Sequence, residues 1–290
     1  MKKKINICQK TGIDAQKSKG WLGANKYLVM RRISQLSILF LFLLGPWFGI
    51  WIVKGNLTSS LTLDTLPLTD PYVLMQSFFT GHSITQDALI GALIVVVFYL
   101  IVGGRVFCSW VCPVNIVTDT ANWLRCKLGI QNKGGGIASK TRYWILAMSF
   151  VLAFVTGSIV WELVNPVSIL HRGIIFGMSF GWGLIALIFL FDFLVVNKGW
   201  CSRLCPVGAF YSLLGKGSLI RVNAKDRDKC TDCLECFSVC PESQIIKPAL
   251  KGQGSSIILD GNCTNCGRCI DICEPDVFSY STRFNKNTTK

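Results

Sequence analysis

Eight cysteines near the C-terminal end constrain this chain more than any other feature. Cys230, Cys233, Cys236 and Cys240 read C-x2-C-x2-C-x3-C and are followed by Pro241; Cys263, Cys266, Cys269 and Cys273 repeat that spacing 33 residues later. An iron–sulfur cubane needs four thiolates at the corners of a tetrahedron. Three closely spaced cysteines wrap one cluster, and the fourth, carried away on a helix start, reaches the other. The pattern therefore assigns Cys230, Cys233, Cys236 and Cys273 to one 4Fe-4S cluster, and Cys263, Cys266, Cys269 and Cys240 to a second. Two zinc sites would be compatible with looser spacing, and a disulfide network belongs to an oxidising compartment. One departure is local: Glu274 separates Cys273 from Pro275.

This duplicated spacing is that of bacterial two-cluster ferredoxins. Short alternating strands at 219–222, 257–259 and 277–280 flank the loops, so a small α+β ferredoxin-like domain is expected over 218–284, with a short tail at 285–290. It has few apolar residues, and bound clusters would supply much of its folding free energy.

The rest of the chain is of another kind. Across 290 residues, 51% are hydrophobic and 16% charged, with a mean hydropathy of +0.45. That excludes a disordered chain and argues for lipid contact. Apolar runs at 33–53, 87–107, 143–165 and 174–197 are each long enough to cross a hydrocarbon core of ~30 Å. Of the 30 basic residues, 28 lie before the first run, from Arg105 at the end of the second run to Arg142, or after the fourth, leaving Lys54 and Arg172 in the other two connectors. Basic segments resist translocation, so both termini and the middle connector are expected in the cytoplasm of a multi-pass inner-membrane protein. The net charge of +14 is then explained by topology, and no nucleic-acid partner is expected. Arg31-Arg32 resembles a twin-arginine export signal, but the apolar run that follows is too long and lacks a small-residue cleavage site; it reads as an uncleaved anchor.

The membrane part repeats itself. Asp70-Pro71 after the first run corresponds to Asn165-Pro166 after the third, and Cys108-Ser109-Trp110-Val111-Cys112-Pro113 to Cys201-Ser202-Arg203-Leu204-Cys205-Pro206, at offsets of 95 and 93. The expected fold is thus an α-helical membrane bundle of four transmembrane helices in two pseudo-repeated hairpins (33–217), preceded by a basic cytoplasmic segment (1–32) and followed by the two-cluster domain. Gly134-Gly135-Gly136 reads as a joint between the halves. Brought together, Cys108, Cys112, Cys201 and Cys205 would form an additional redox or metal site of four thiolates; the alternative is helix-end packing. Cys8 and Cys126 fit neither pattern and read as plain thiols.

Asp192 lies inside the fourth run, where an acid is costly and often functional; it is the candidate for a proton role, against an interface residue paired within the bundle. Glu162, near the end of the third run, is a lesser candidate. His82 and His171, the two histidines, fall in the outer connectors and read as solvated loop residues. No dinucleotide fingerprint or P-loop occurs, so hydride chemistry is unsupported.

With Gly45-Pro46-Trp47-Phe48-Gly49, the segment Asp64 to Pro71, Phe107 to Pro113, Asn165-Pro166-Val167-Ser168, Gly199-Trp200-Cys201, Cys205 to Ala209 and the two cluster motifs, the chain resembles the NapH family of ferredoxin-type membrane proteins from about residue 21 to 284. That resemblance implies an iron–sulfur subunit of a quinol dehydrogenase, passing electrons from membrane quinol toward a periplasmic nitrate reductase. The partners it implies are a periplasmic NapG-type iron–sulfur protein and a multihaem NapC-type cytochrome. Two other classes remain open: a polyferredoxin assembly or copper-handling factor, and a cluster-stabilised membrane anchor for a partner redox complex. Each cluster takes one electron, so paired clusters suit a two-electron donor.

Overall fold

A computed structural model describes residues 11–130, 137–177, 181–252 and 254–284; the glycine joint, Cys8 and the tail lie outside these. The molecule is mostly helical. Its first helix, α1 (Ile13–Phe48), is one long apolar element with non-helical backbone at Gly20 and Asn25 and Pro46 inside. Among the described residues it is the one helix long and apolar enough to cross a membrane.

The other apolar runs give shorter helices than their length suggests. α2 (Pro71–Phe79) and α3 (Gln86–Val102) precede a π-helical turn at Phe107–Val111, then α4 (Val114–Lys127). α5 (Thr141–Thr156) stops at Gly157, whose φ of 62° costs a glycine nothing and would strain most other residues. The third apolar run therefore breaks into α5 and a separate α6 (Val160–Val164). The fourth run is likewise split, since α7 (Pro166–Phe176) ends within it and α8 (Trp182–Leu190) continues into a π-helical stretch, Phe191–Val195. A third π-helical turn, Trp200–Leu204, leads into α9 (Pro206–Gly215). Hydropathy measures the length of an apolar run and says little about where its backbone turns.

The connector after α1 carries a three-stranded antiparallel sheet, β1 (Val53–Gly55), β2 (Ser59–Thr62) and β3 (Leu66–Thr69), with Ser60 opposite Leu68. β3 lies against α3 so closely that a Cβ on Gly91 would stand 3.0 Å from the Pro67 carbonyl oxygen. From there the chain folds back into the helical core. Asp70 caps α2 by accepting from the Tyr72 amide at 3.0 Å and also accepts from the Tyr211 hydroxyl of α9 at 3.1 Å. Asn165 caps α7 in the same way, through the Val167 amide at 3.1 Å. Both caps are buried, so neither connector is a simple outer loop. Around Asp70 the rings of Tyr72, Tyr99, Phe107, Trp161, Phe210 and Tyr211 form an aromatic core.

The C-terminal part holds β4 (Ile220–Ala224), α10 (Glu235–Val239), α11 (Ile246–Lys251), α12 (Arg268–Asp271) and β5 (Phe278–Thr282). β4 and β5 pair antiparallel, Val222 opposite Tyr280, and Ile257 adds a bridge to Asn223. Residues 11–32 pack on this part. Leu28 and Tyr27 donate backbone amides to Asp271, Gly12 donates its amide to Glu235 at 2.8 Å, and Lys19 binds the Cys273 carbonyl and Asp276.

Candidate iron–sulfur centres

The two C-x2-C-x2-C loops fold alike. Each needs left-handed backbone at the same two places: Asp232 (φ 55°) and Leu234 (φ 64°) in the first, Asn265 (φ 46°) and Gly267 (φ 73°) in the second. These kinks turn three successive cysteines toward one point. In each loop the Asp or Asn after the first cysteine also faces its sulfur: Cys263 Sγ donates to Asn265 Oδ1 at 3.3 Å, and Cys230 Sγ to Asp232 at 3.6 Å. α10 and α12 then start 33 residues apart and carry Cys240 and Cys273 away.

The structure brings Cys230, Cys233, Cys236 and Cys273 around one cavity, whose apolar walls include Phe237, Leu250 and Phe278. Cys240, Cys263, Cys266 and Cys269 surround a second. Burial pushes the Cys236 thiol up to about 12, and the neighbouring Cys233, Cys273 and Cys230 add to it. Cys263 rises to about 11 for the same first reason. Crowded thiols that resist ionisation in isolation suit a cation-rich cluster, which reverses that preference by binding the thiolate form.

A third ring stands outside the ferredoxin-like part. Cys112 and Cys205 close their π-helical turns identically, each amide donating to the carbonyl five residues back (Phe107 and Trp200) at 2.9 Å. With Cys108 and Cys201 they surround another cavity, walled by Phe107, Trp161 and Trp200 and reached by Pro166 and Val167 of the second folded-back connector. The donor set is four soft thiols with no competing oxygen ligand in that wall, which fits iron–sulfur chemistry. Among the described residues, no group of three or more His, Cys, Asp or Glu side chains closes on a single-ion site; in each ring the thiols stand around open space.

The other polar candidates separate. Asp192 is fully buried, and its Oδ1 accepts from the Trp200 amide at 2.9 Å while its carbonyl accepts from Arg125 at 3.3 Å, so it holds the start of the second C-x3-C turn. Glu162 accepts from Asn165 at 3.3 Å and lies 3.8 Å from Arg172. His82 is exposed beside Thr80. His171 is not a solvated loop residue: it lies in α7, 2% exposed, edge-on to Phe42. Cys126 is disulfide-bonded and so is not a plain thiol.

Two ionic clusters, one buried and one partly buried, were not foreseen as clusters from the sequence. Glu242, next to Pro241, accepts from Arg105 at 3.1 Å and from Arg142 at 2.6 Å; Arg105 also donates to the carbonyls of Asn262 (3.0 Å) and Cys201 (2.9 Å). Asp119 of α4 pairs with Arg31 at 3.3 Å, with Lys198 at 3.1 Å and with Arg32. Burial alone would raise Asp119, but the three cations around it hold it down to about 2.

Matches to known proteins follow the same division. A family model described as a 4Fe-4S binding domain matches residues 84–131 and again 177–225, and a 4Fe-4S dicluster domain matches 222–274. Fold and cysteine rings thus define an iron–sulfur electron-transfer protein of ferredoxin type. The chain is 52% identical over 266 residues to a methylamine utilization ferredoxin-type protein MauN of Methylorubrum extorquens, covering 92% of both chains. It is 48% identical over 277 residues to the ferredoxin-type protein NapH of Haemophilus influenzae and 46% over 275 residues to that of Escherichia coli, in each case covering 94% of this chain and 96% of the relative. The chain belongs to this NapH and MauN family of ferredoxin-type proteins. No solved structure matches it.

Proposed function

We propose that the protein is the membrane electron-transfer subunit of a quinol dehydrogenase, carrying electrons one at a time from membrane quinol toward a periplasmic nitrate reductase. Its ligands would be the two crossed cysteine sets of the ferredoxin-like domain, each holding a 4Fe-4S cluster, with a third redox centre on Cys108, Cys112, Cys201 and Cys205. The observation that carries this reading is the set of three separate cavities, each ringed by four thiols. A bound cluster supplies one-electron chemistry; the protein's part is to hold the thiolates and exclude water.

A four-span inner-membrane bundle with both termini cytoplasmic is supported by the basic-residue asymmetry and by apolar rows that α3 (Leu89, Leu93, Phe98) and α5 (Val151, Phe154, Val155) leave exposed. Pro166 and Val167, from a connector read as external, wall the third cavity together with Trp161 of the third run. That supports electron passage between cytoplasmic clusters and periplasmic partners, a NapG-type iron–sulfur protein and a NapC-type cytochrome. Asp192, anchored to the Trp200 amide, serves this reading better as a positioning residue than as a proton carrier.

The 52% identity to MauN favours a second reading in which the same carrier serves methylamine utilization. A deletion strain separates them by whether growth fails with nitrate as electron acceptor or on methylamine. The carrier role itself is tested by redox-titrated EPR of the purified protein with a quinol analogue: cluster signals that appear on its addition support it. Clusters that dithionite reduces but quinol leaves untouched would move the protein to the anchor reading.

A further inference from the structure

The geometry points to a fixed order among the three centres: the four-thiol ring of Cys108, Cys112, Cys201 and Cys205 exchanges electrons with the ferredoxin-like domain through the cluster of Cys240, Cys263, Cys266 and Cys269, and the cluster of Cys230, Cys233, Cys236 and Cys273 is terminal. This rests on the reading of the third ring as a redox centre.

The first C-x3-C turn is bonded to one cysteine loop of the domain. Ser109, next to Cys108, donates its hydroxyl to the Thr264 carbonyl, next to Cys263, at 2.7 Å. Trp110 donates its indole N–H to the Asn265 carbonyl, next to Cys266, at 3.1 Å. Arg105 joins the second C-x3-C turn to the same loop, through the carbonyls of Cys201 and Asn262. Between them lies a cavity that Cys108, Cys201 and Cys266 line together. Cysteines of both rings thus border one space, bridged by part-buried hydrogen bonds that fix the relative position of the two loops.

Among the described residues, the other cluster site is lined by the domain itself. Every residue lining its cavity lies between 230 and 278, inside the domain. Contacts that reach it from elsewhere include those of Gly12 and Lys19 near the start of α1, which carry no thiol of the four-thiol ring. Cys233 is exposed, as are Thr231 and Asp232 beside it. An electron entering at the four-thiol ring therefore meets the Cys266 cluster first, and the surface around Cys233 is where it leaves for, or arrives from, a soluble partner. Each step oxidises one centre and reduces the next by a single electron, with no bond made or broken.

The test is magnetic. In dithionite-reduced protein, the EPR signal of the four-thiol centre is broadened by its nearest paramagnetic neighbour. Cys233→Ser is expected to leave that broadening in place, and Cys266→Ser to remove it. Retention in Cys266→Ser together with loss in Cys233→Ser would overturn the order. Where Cys266→Ser does not assemble, relaxation measurements on the wild-type protein at graded potentials decide: the four-thiol signal must respond when the Cys266 cluster becomes paramagnetic, and a response to the Cys233 cluster alone reverses the assignment. Ser109→Ala with Trp110→Phe supplies a milder check, with iron content unchanged and the broadening reduced. Two reduced ferredoxin clusters with no third signal overturn the inference. Intact broadening without reduction by a quinol analogue overturns the quinol role and leaves the order standing.

Discussion

Arg105 and Glu242, 137 residues apart in the chain, meet at 3.1 Å with both side chains almost wholly buried. Arg105 precedes the first C-x3-C turn and Glu242 follows the Cys240-Pro241 step, so this one pair ties the helical part to the ferredoxin-like domain. Arg142 completes a triad on the same carboxylate oxygen.

Glu242→Ala should therefore cost more than any surface acid. It leaves two guanidinium groups buried with their counter-charge gone, a loss of about 3–5 kcal/mol for a broken buried pair. Glu242→Gln, which keeps an acceptor, should cost less. Denaturant unfolding followed by the visible absorbance of the clusters measures both. Equal, negligible effects would show that the triad is not what joins the two parts.

Gly104 marks the closest approach of the α3 end to α9: a Cβ there would collide with the Tyr211 carbonyl and with the Gly215 backbone. Backbone gives way less readily than side chains, so Gly104→Ala should destabilise by about 1–3 kcal/mol and disturb the aromatic stack of Phe107 on Tyr211 at 5.2 Å. Thermal unfolding, with near-ultraviolet circular dichroism for the aromatic packing, reads both effects. A variant with wild-type melting would mean that α9 moves freely.

What could be read from the residue string follows from range. The cysteine loops are local: spacing sets which thiols share a loop, and the duplication at 33 residues reappears in matched left-handed kinks at Asp232 and Asn265. The C-x3-C repeat is equally local and reappears as two π-helical turns with the same closing bond. The ends of the apolar runs were less legible, because Gly157 breaks the third run through its backbone, which hydropathy does not record. The inward return of the connectors depends on Asp70 meeting Tyr211, 141 residues away. His171 read as solvated because its neighbours were counted as loop, whereas α7 turns it onto Phe42. Arg31 and Arg32 stand just before the run read as an uncleaved anchor, and their partner Asp119, 88 and 87 residues on, was out of reach of any local pattern.

Asp119 makes the α1–α4 junction sensitive to acid in a defined direction. Its carboxyl is held down to about 2, against ~3.9 for an unperturbed aspartate. A depressed pKa contributes stability that is full above the unfolded value and lost as pH falls through the folded one. The difference corresponds to about 2–3 kcal/mol. Docking of α1 on α4 should thus hold at pH 5 and weaken between about 4 and 2. Asp119→Asn should remove that pH dependence and loosen the junction at neutral pH. Hydrogen exchange of the α1 and α4 amides across this range checks both expectations. Identical pH profiles for the two proteins would remove Asp119 from the account.

Iron removal separates the three rings by the kind of structure each supports. The ferredoxin-like core packs Phe237, Ile246, Leu250 and Phe278 against partly buried cysteines of both sets, so chelation should unfold it, as loss of a structural metal does in a small domain. The third ring lies among helices whose packing includes the rings of Tyr72, Tyr99 and Tyr211, and it should lose iron with its helices still in place. Anaerobic protein is expected to hold about twelve irons per chain, and a variant with Cys108, Cys112, Cys201 and Cys205 all changed to Ser about eight. Its helix content should be unchanged by far-ultraviolet circular dichroism. Eight irons in both proteins, with full electron-transfer activity in the variant, would leave the third ring as packing alone.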